Sequence, residues 1–153
     1  MTIHFGDSTS IASGGALGKV LNMSTGQYSG TISSTSYQAL TGHSVSLTPS
    51  SSSSKFLVLM ESHGTQSNGA NNSNFQITRY DHGTGTTTEI HQGSAYGNPG
   101  GIRAIVPMFS NLYDQPNTAN QVTYAVNFKR VNGGGLGTAN FGATGSITAI
   151  EIS

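Results

Sequence analysis

The chain has 153 residues and a mass of 15.8 kDa, one domain of ordinary size. Serine, threonine, glycine and asparagine supply 73 of those residues, only 8% are charged, and six basic and six acidic side chains leave a formal net charge of zero. That balance excludes a helical protein, which needs Ala, Leu, Glu and Lys in bulk, and a phosphate-backbone binder, which must neutralise many phosphates.

In chain order, residues 1–18 read as an extended Gly/Ser-rich arm, and 19–153 as one β-sandwich domain. Strands are predicted at 19–23, 28–32, 37–40 and 44–48, the last alternating polar and apolar. Pro49 and the serine run 50–54 break the pattern. Residues 56–60 (Phe-Leu-Val-Leu-Met) are the most continuous apolar run and fit a buried central strand. A polar loop at 64–73 carries the turn pair Asn68-Gly69. Further strands are expected at 74–80 and 86–91 around a turn at 81–85. A long loop follows at 93–101. The strand at 102–108 contains Pro107, which places it at a sheet edge or a bulge. Residues 121–129 give the clearest period of two, with Val122, Tyr124, Val126 and Phe128 on one face. Gly133–Gly135 form a loop, and 146–152 close the chain as a strand. Eight to ten short strands and no helix beyond a turn or two predict an all-β, two-sheet antiparallel sandwich of jelly-roll type.

Without cysteine there is no disulfide framework, zinc knuckle or thiol nucleophile. No apolar run approaches a membrane span. Residues 1–13 lack the basic flank and apolar segment of a secretory signal, and the initial methionine reads as that of a complete small gene product. Asn22-Met23-Ser24 and Asn71-Asn72-Ser73 would accept glycans only in a secretory pathway.

Several segments carry a resemblance. These are His4-Phe5-Gly6-Asp7-Ser8-Thr9, Ser33-Ser34-Thr35-Ser36-Tyr37 through Thr41-Gly42-His43-Ser44-Val45-Ser46-Leu47-Thr48-Pro49, Lys55-Phe56-Leu57-Val58-Leu59, Asp114-Gln115-Pro116-Asn117-Thr118 with Thr123-Tyr124, and Ser146-Ile147-Thr148-Ala149-Ile150-Glu151-Ile152. In this order they resemble tail-fibre-like virion structural proteins of bacteriophages, especially aquatic ones. The resemblance implies a compact β-sandwich at the end of a fibre or on the virion surface, tail or capsid, and a homotrimer.

Candidate chemistry is sparse. Glu61 and His63, and Glu89 and His91, are two apart, so on strands each pair would share a face, and on neighbouring strands the four would converge on a metal. The His-x-His with a following Glu of cupin metal sites is absent, and no metal and no cofactor are expected. Asp81-His82 are adjacent and point apart, which is wrong for a catalytic triad, and no Gly-x-Ser-x-Gly occurs. The 133–137 glycines lack the Lys-Ser/Thr of a phosphate loop, and Lys129-Arg130 read as a solvated strand end. An enzyme is therefore not expected. Tyr80, Tyr96 and Tyr113 lie near turns, and Tyr96 shares the 93–101 loop with Asn98; Tyr and Asn in loops combine stacking area with adaptable hydrogen bonds, so these four are the candidate ligand-binding residues.

The expected function is that of a virion structural protein, a homotrimeric fibre or fibre-tip module. Its arm would dock on another virion protein, charge-poor strands would pack around the threefold axis, and outward apolar residues of the 56–60 and 102–108 runs would bury against neighbours. A receptor-recognition module for a host glycan or protein is the alternative, and a capsid-decoration or head-fibre protein a second one. Neither nucleic acid nor membrane insertion is expected.

Overall fold

The computed structural model describes residues 3–4, 10–11, 20–66, 72–96, 104–131 and 141–152, with side chains at 22–27, 29–40, 42–63, 74–94, 108–130 and 143–152. All ten elements are strands: β1 (Ile3–His4), β2 (Ser10–Ile11), β3 (Val20–Ile32), β4 (Gln38–Leu47), β5 (Lys55–Gln66), β6 (Asn72–Asp81), β7 (Thr86–Tyr96), β8 (Ala104–Asp114), β9 (Val122–Val131) and β10 (Phe141–Ile152). Within the arm, β1 and β2 pair with each other, Ile3 opposite Ile11.

The other eight run in the order β7-β6-β9-β4-β3-β10-β5-β8, every pairing antiparallel. Among the described residues a single bridge, Ser29–Thr41, joins β3 to β4. The ladder therefore folds there into two four-stranded layers, β3-β10-β5-β8 and β4-β9-β6-β7. This winding is the double Greek key of a jelly roll, as the strand pattern predicts.

The inward side of each strand supplies one shared core. It includes Phe56, Val58 and Met60 of β5, Ile147 and Ala149 of β10, Phe75 and Ile77 of β6, and Val122, Tyr124, Val126 and Phe128 of β9. The rings of Phe56 and Tyr124 meet across the layers at 5.7 Å. A fully buried side chain of this size contributes about 2–3 kcal/mol of transfer free energy. The period of two in β9 is thus a core face, all four of its residues being fully buried.

Some boundaries differ from the sequence expectation. The strands expected at 19–23 and 28–32 are one strand, β3. Its middle is small and polar because it passes close over β4: a Cβ on Gly26 would lie 2.7 Å from the Ser44 carbonyl oxygen. The strands expected at 37–40 and 44–48 are likewise one, β4. Between Ala39 and Ser44 it slips register against β9, with Gly42 at φ 75°, and there Thr41 turns to β3. This slip is the corner of the sandwich. The run 56–60 lies in the interior strand β5 as expected, but Leu57 and Leu59 point outward. Pro107 sits in β8, which pairs with β5 alone and is an edge strand, the place in a sheet where proline is tolerated.

The loop expected at 93–101 starts later, since β7 continues through Tyr96. Asn68-Gly69 and the 133–137 glycines lie outside the described residues. The register places Ile32, Gln66, Tyr96 and Val131, the last residues of β3, β5, β7 and β9, at one end of the sandwich. Connections 48–54, 82–85 and 115–121 lie at the other.

Candidate functional site

The fold does not gather the four candidate ligand-binding residues. Tyr80, next to last in β6, is outward on its layer and 37% exposed. Tyr113, next to last in β8, is outward on the opposite layer and 57% exposed. The two share an end of the molecule but look away from each other. Tyr96 closes β7 opposite Asn72, about 27 Å from Tyr80 at about 3.4 Å per residue. The side chain of Tyr96, and all of Asn98, lie outside the described residues. Tyr80 also has a local partner: His82 stands edge-on to its ring at 4.8 Å, and His82 Nε2 is hydrogen-bonded to Thr123 Oγ1.

The two Glu/His pairs are separated as well. β5 and β7 belong to different layers. Moreover, β7 carries one extra residue against β6, since Ile77 faces His91 while Thr78 faces Glu89. This bulge reverses the alternation. Glu89 therefore points outward, where it accepts a hydrogen bond from Gln92 Nε2 at 2.6 Å, whereas His91 turns inward onto the Phe75 ring at 5.9 Å. The expectation of a shared face fails for this pair because strand alternation does not survive a bulge. Glu61 and His63 do share the exposed outer face of β5. Among the described residues no three histidine or acidic side chains gather around a common point for a cation.

The informative contrast lies between the two outer faces. On β4-β9-β6-β7, cross-strand neighbours are polar almost throughout: Ser46–Thr123–Tyr80–Thr87, then Ser44–Ala125–Thr78–Glu89, then Asn127–Gln76–Gln92. The β3-β10-β5-β8 face carries the row Met23–Ile150–Leu57–Tyr113, with Met23 61% exposed. Beside it runs Thr25–Thr148–Leu59–Asn111. Neither of these rows holds a charge. The next row, Gln27–Ser146–Glu61–Phe109, begins a shallow trough, and Phe109 is 66% exposed. Sequence reasoning missed Met23, Phe109 and Ile150, which lie outside the apolar runs expected to show an outward face, and did not say which residues of 56–60 point out. Alternation within 56–60, with Lys55 and Glu61 on the odd positions, was the available signal.

At the end holding 82–85 and 115–121, side chains tie the layers together. Arg79 Nη1 donates to both carboxylate oxygens of Asp114 at 2.6 and 2.7 Å, and the Tyr124 hydroxyl donates to Asp114 Oδ2 at 2.7 Å. Burial first, then the Asp114 charge and hydrogen bond, push the Tyr124 hydroxyl far above its ordinary value, with Arg79 opposing. The 82–85 turn is held by Asp81, whose Oδ1 accepts from Gly83 N, Thr84 N and Asn120 Nδ2. Asp81 and His82 thus serve different neighbours. Glu151, fully buried, accepts from Ser50 N at 2.6 Å and Ser50 Oγ at 3.1 Å, so the serine run 50–54 begins anchored to a core carboxylate. Lys129, expected as a solvated strand end, lies over the Tyr37 ring at 4.3 Å.

The architecture defines a jelly-roll sandwich with one polar and one partly apolar outer face. No family model and no curated protein matches the chain. Among solved structures it is similar to that of the infectious bursal disease virus Gt strain, at 14% identity and a TM-score of 0.50, covering 84% of this chain and 32% of that one. The chain therefore spans about a third of that protein's length. It is also similar to the subviral particle of VP2 from infectious bursal disease virus (15% identity, TM-score 0.40, 86% and 33% covered) and to the globular domain of zebrafish complement 1qA (10%, 0.39, 83% and 96%). At these identities the likeness is one of fold.

Proposed function

We propose that the chain is a non-catalytic structural protein of a virus particle, a fibre or fibre-tip module that assembles as a homotrimer. The observation that carries this reading is the row Met23–Ile150–Leu57–Tyr113, an uncharged apolar stripe crossing all four strands of one outer face while the other face is polar. An exposed apolar stripe rimmed by polar groups marks a contact surface. A second copy fits it because neither this row nor the next brings a charge to repel its own kind, and the chain is neutral overall. The sequence resemblance to phage tail-fibre-like proteins adds the threefold symmetry and the virion location, and the fold suits a particle protein. In this role β1 and β2 of the arm dock on another virion protein, and no cofactor, nucleic acid or membrane takes part.

Sedimentation velocity tests the reading. A trimer is expected at micromolar concentration, and a clean monomer there overturns it. A second role, recognition of a host-surface glycan, is favoured by the trough beside Phe109.

A further inference from the structure

Two shallow hollows adjoin on the outer face of β3-β10-β5-β8. One, about 480 Å³, is lined by Gln27, Ser29, Glu61, His63, Thr144 and Ser146. The other, about 360 Å³, is lined by Leu59, Glu61, Phe109, Asn111, Ser146 and Thr148. They share Glu61 and Ser146, whose hydroxyl donates to Glu61 Oε1 at 3.1 Å, so that pair forms the saddle between them. Along β10, Ile150 of the apolar row is four residues from Ser146 and six from Thr144, about 14 and 20 Å at about 3.4 Å per residue. The larger hollow is thus set apart from the apolar row, while the smaller one adjoins it through Leu59 and Thr148, each two residues along its strand from Leu57 or Ile150.

The lining decides the ligand. Five of the six side chains of the larger hollow offer an amide, hydroxyl or imidazole, and the sixth is a carboxylate, so most both donate and accept. An apolar ligand would gain little here, since the hollows are open and polar. An extended peptide finds no strand to join at the larger hollow, because β10 and β5 beneath it are hydrogen-bonded on both sides; the edge strand β8 borders only the smaller hollow. An anion meets the Glu61 carboxylate and, among the described residues, no Lys or Arg in either lining. What remains is a neutral molecule rich in hydroxyls with one apolar face. The exposed Phe109 ring supplies the matching surface, since a flat aromatic at a wet site stacks on C–H groups.

We infer that the trough binds a neutral oligosaccharide of at least two sugars, one pyranose laid against Phe109 and its neighbour hydrogen-bonded by Gln27, Glu61, His63 and Thr144. This deepens the recognition role and rests on it, whereas the assembly reading stands apart.

Methyl maltoside, methyl cellobioside and methyl lactoside, titrated into isotope-labelled protein and followed by amide shifts, test the site; sialyllactose is the anionic control. At least one neutral probe should shift amides 27, 29, 61, 63, 109 and 144–146 saturably, with Kd about 1 mM, and sialyllactose should bind more weakly. Phe109→Ala should weaken binding about tenfold, and Glu61→Gln about three- to tenfold. Both positions are exposed, so the fold should persist, as the unchanged amide spectrum elsewhere will show. Absence of shifts with all three neutral probes overturns the site, as does full affinity in Phe109→Ala. A change of sedimentation in Phe109→Ala assigns that ring to a contact between copies and also overturns it. A trimer whose trough ignores every sugar keeps the assembly reading and loses this one.

Discussion

Asp81 has a sequence role and a structural role that differ. Beside His82 it looks like half of a catalytic pair, yet its carboxylate closes the β6–β7 turn. Desolvation, the largest single influence, raises its pKa, but the Gly83 and Thr84 amides, with Asn120 and Thr118, together outweigh it and hold it below the ordinary value. A depressed pKa stabilises the fold fully above the unfolded value of about 3.9, and that part is lost as the pH falls through the lower folded value. Thermal melts should therefore separate wild type from Asp81→Ala most at neutral pH, the gap narrowing in acid; a pH-independent gap would contradict this role. Glu151 is the buried counterpart. Glu151→Ala removes the acceptor for two Ser50 donors and should cost about 2 kcal/mol in urea unfolding, against a few tenths for the exposed Ser53→Ala. Neither role is legible in sequence, because each depends on donors brought from a turn or from a residue about a hundred positions away.

At the scale of elements, alternation carries most of the fold. Val122, Tyr124, Val126 and Phe128 are a core face because a strand turns successive side chains to opposite sides. Alternation fails where the ladder is irregular. The extra residue in β7 sends His91 inward and Glu89 outward, and the slip in β4 joins two expected strands at the corner. No residue type announces either event, since a bulge is decided by the partner strand. Gly26 belongs to the same corner. Gly26→Ala places a methyl 2.7 and 2.9 Å from two β4 carbonyl oxygens, backbone atoms that cannot rotate aside. It should cost about 3 kcal/mol in chemical denaturation, whereas Ala in place of exposed Ser29 should be nearly neutral.

For the whole molecule, the two outer faces set the behaviour. Burying the row Met23–Ile150–Leu57–Tyr113 in a contact between copies predicts that Leu57→Ser with Tyr113→Ser converts a trimer to a monomer by sedimentation. Far-ultraviolet circular dichroism should be unchanged, because neither residue belongs to the core. The matched change on the polar face, Thr87→Ala with Gln92→Ala, should leave the mass as it is. An interface of standard size removes about 800 Å² per partner, so losing two of its larger side chains from the middle and edge of the stripe is enough to release it.

By itself the amino-acid sequence determined the class of the protein. Half of it is Ser, Thr, Gly and Asn, short apolar runs alternate between turns, and charge is scarce. Those local facts specify an antiparallel sandwich, place Pro107 at an edge and make β9 a core strand, because they depend only on a residue and its near neighbours. The tertiary structure alone decided which outward residues meet. Met23, Leu57, Tyr113 and Ile150 span about 130 positions of sequence, and only the register of four strands sets them in one row. The same register gathers Gln27, Glu61, Phe109 and Ser146, while it carries Tyr80 and Tyr96 to opposite ends of one ladder. Surfaces are made by non-local pairing, so their chemistry is legible only once the strands have partners.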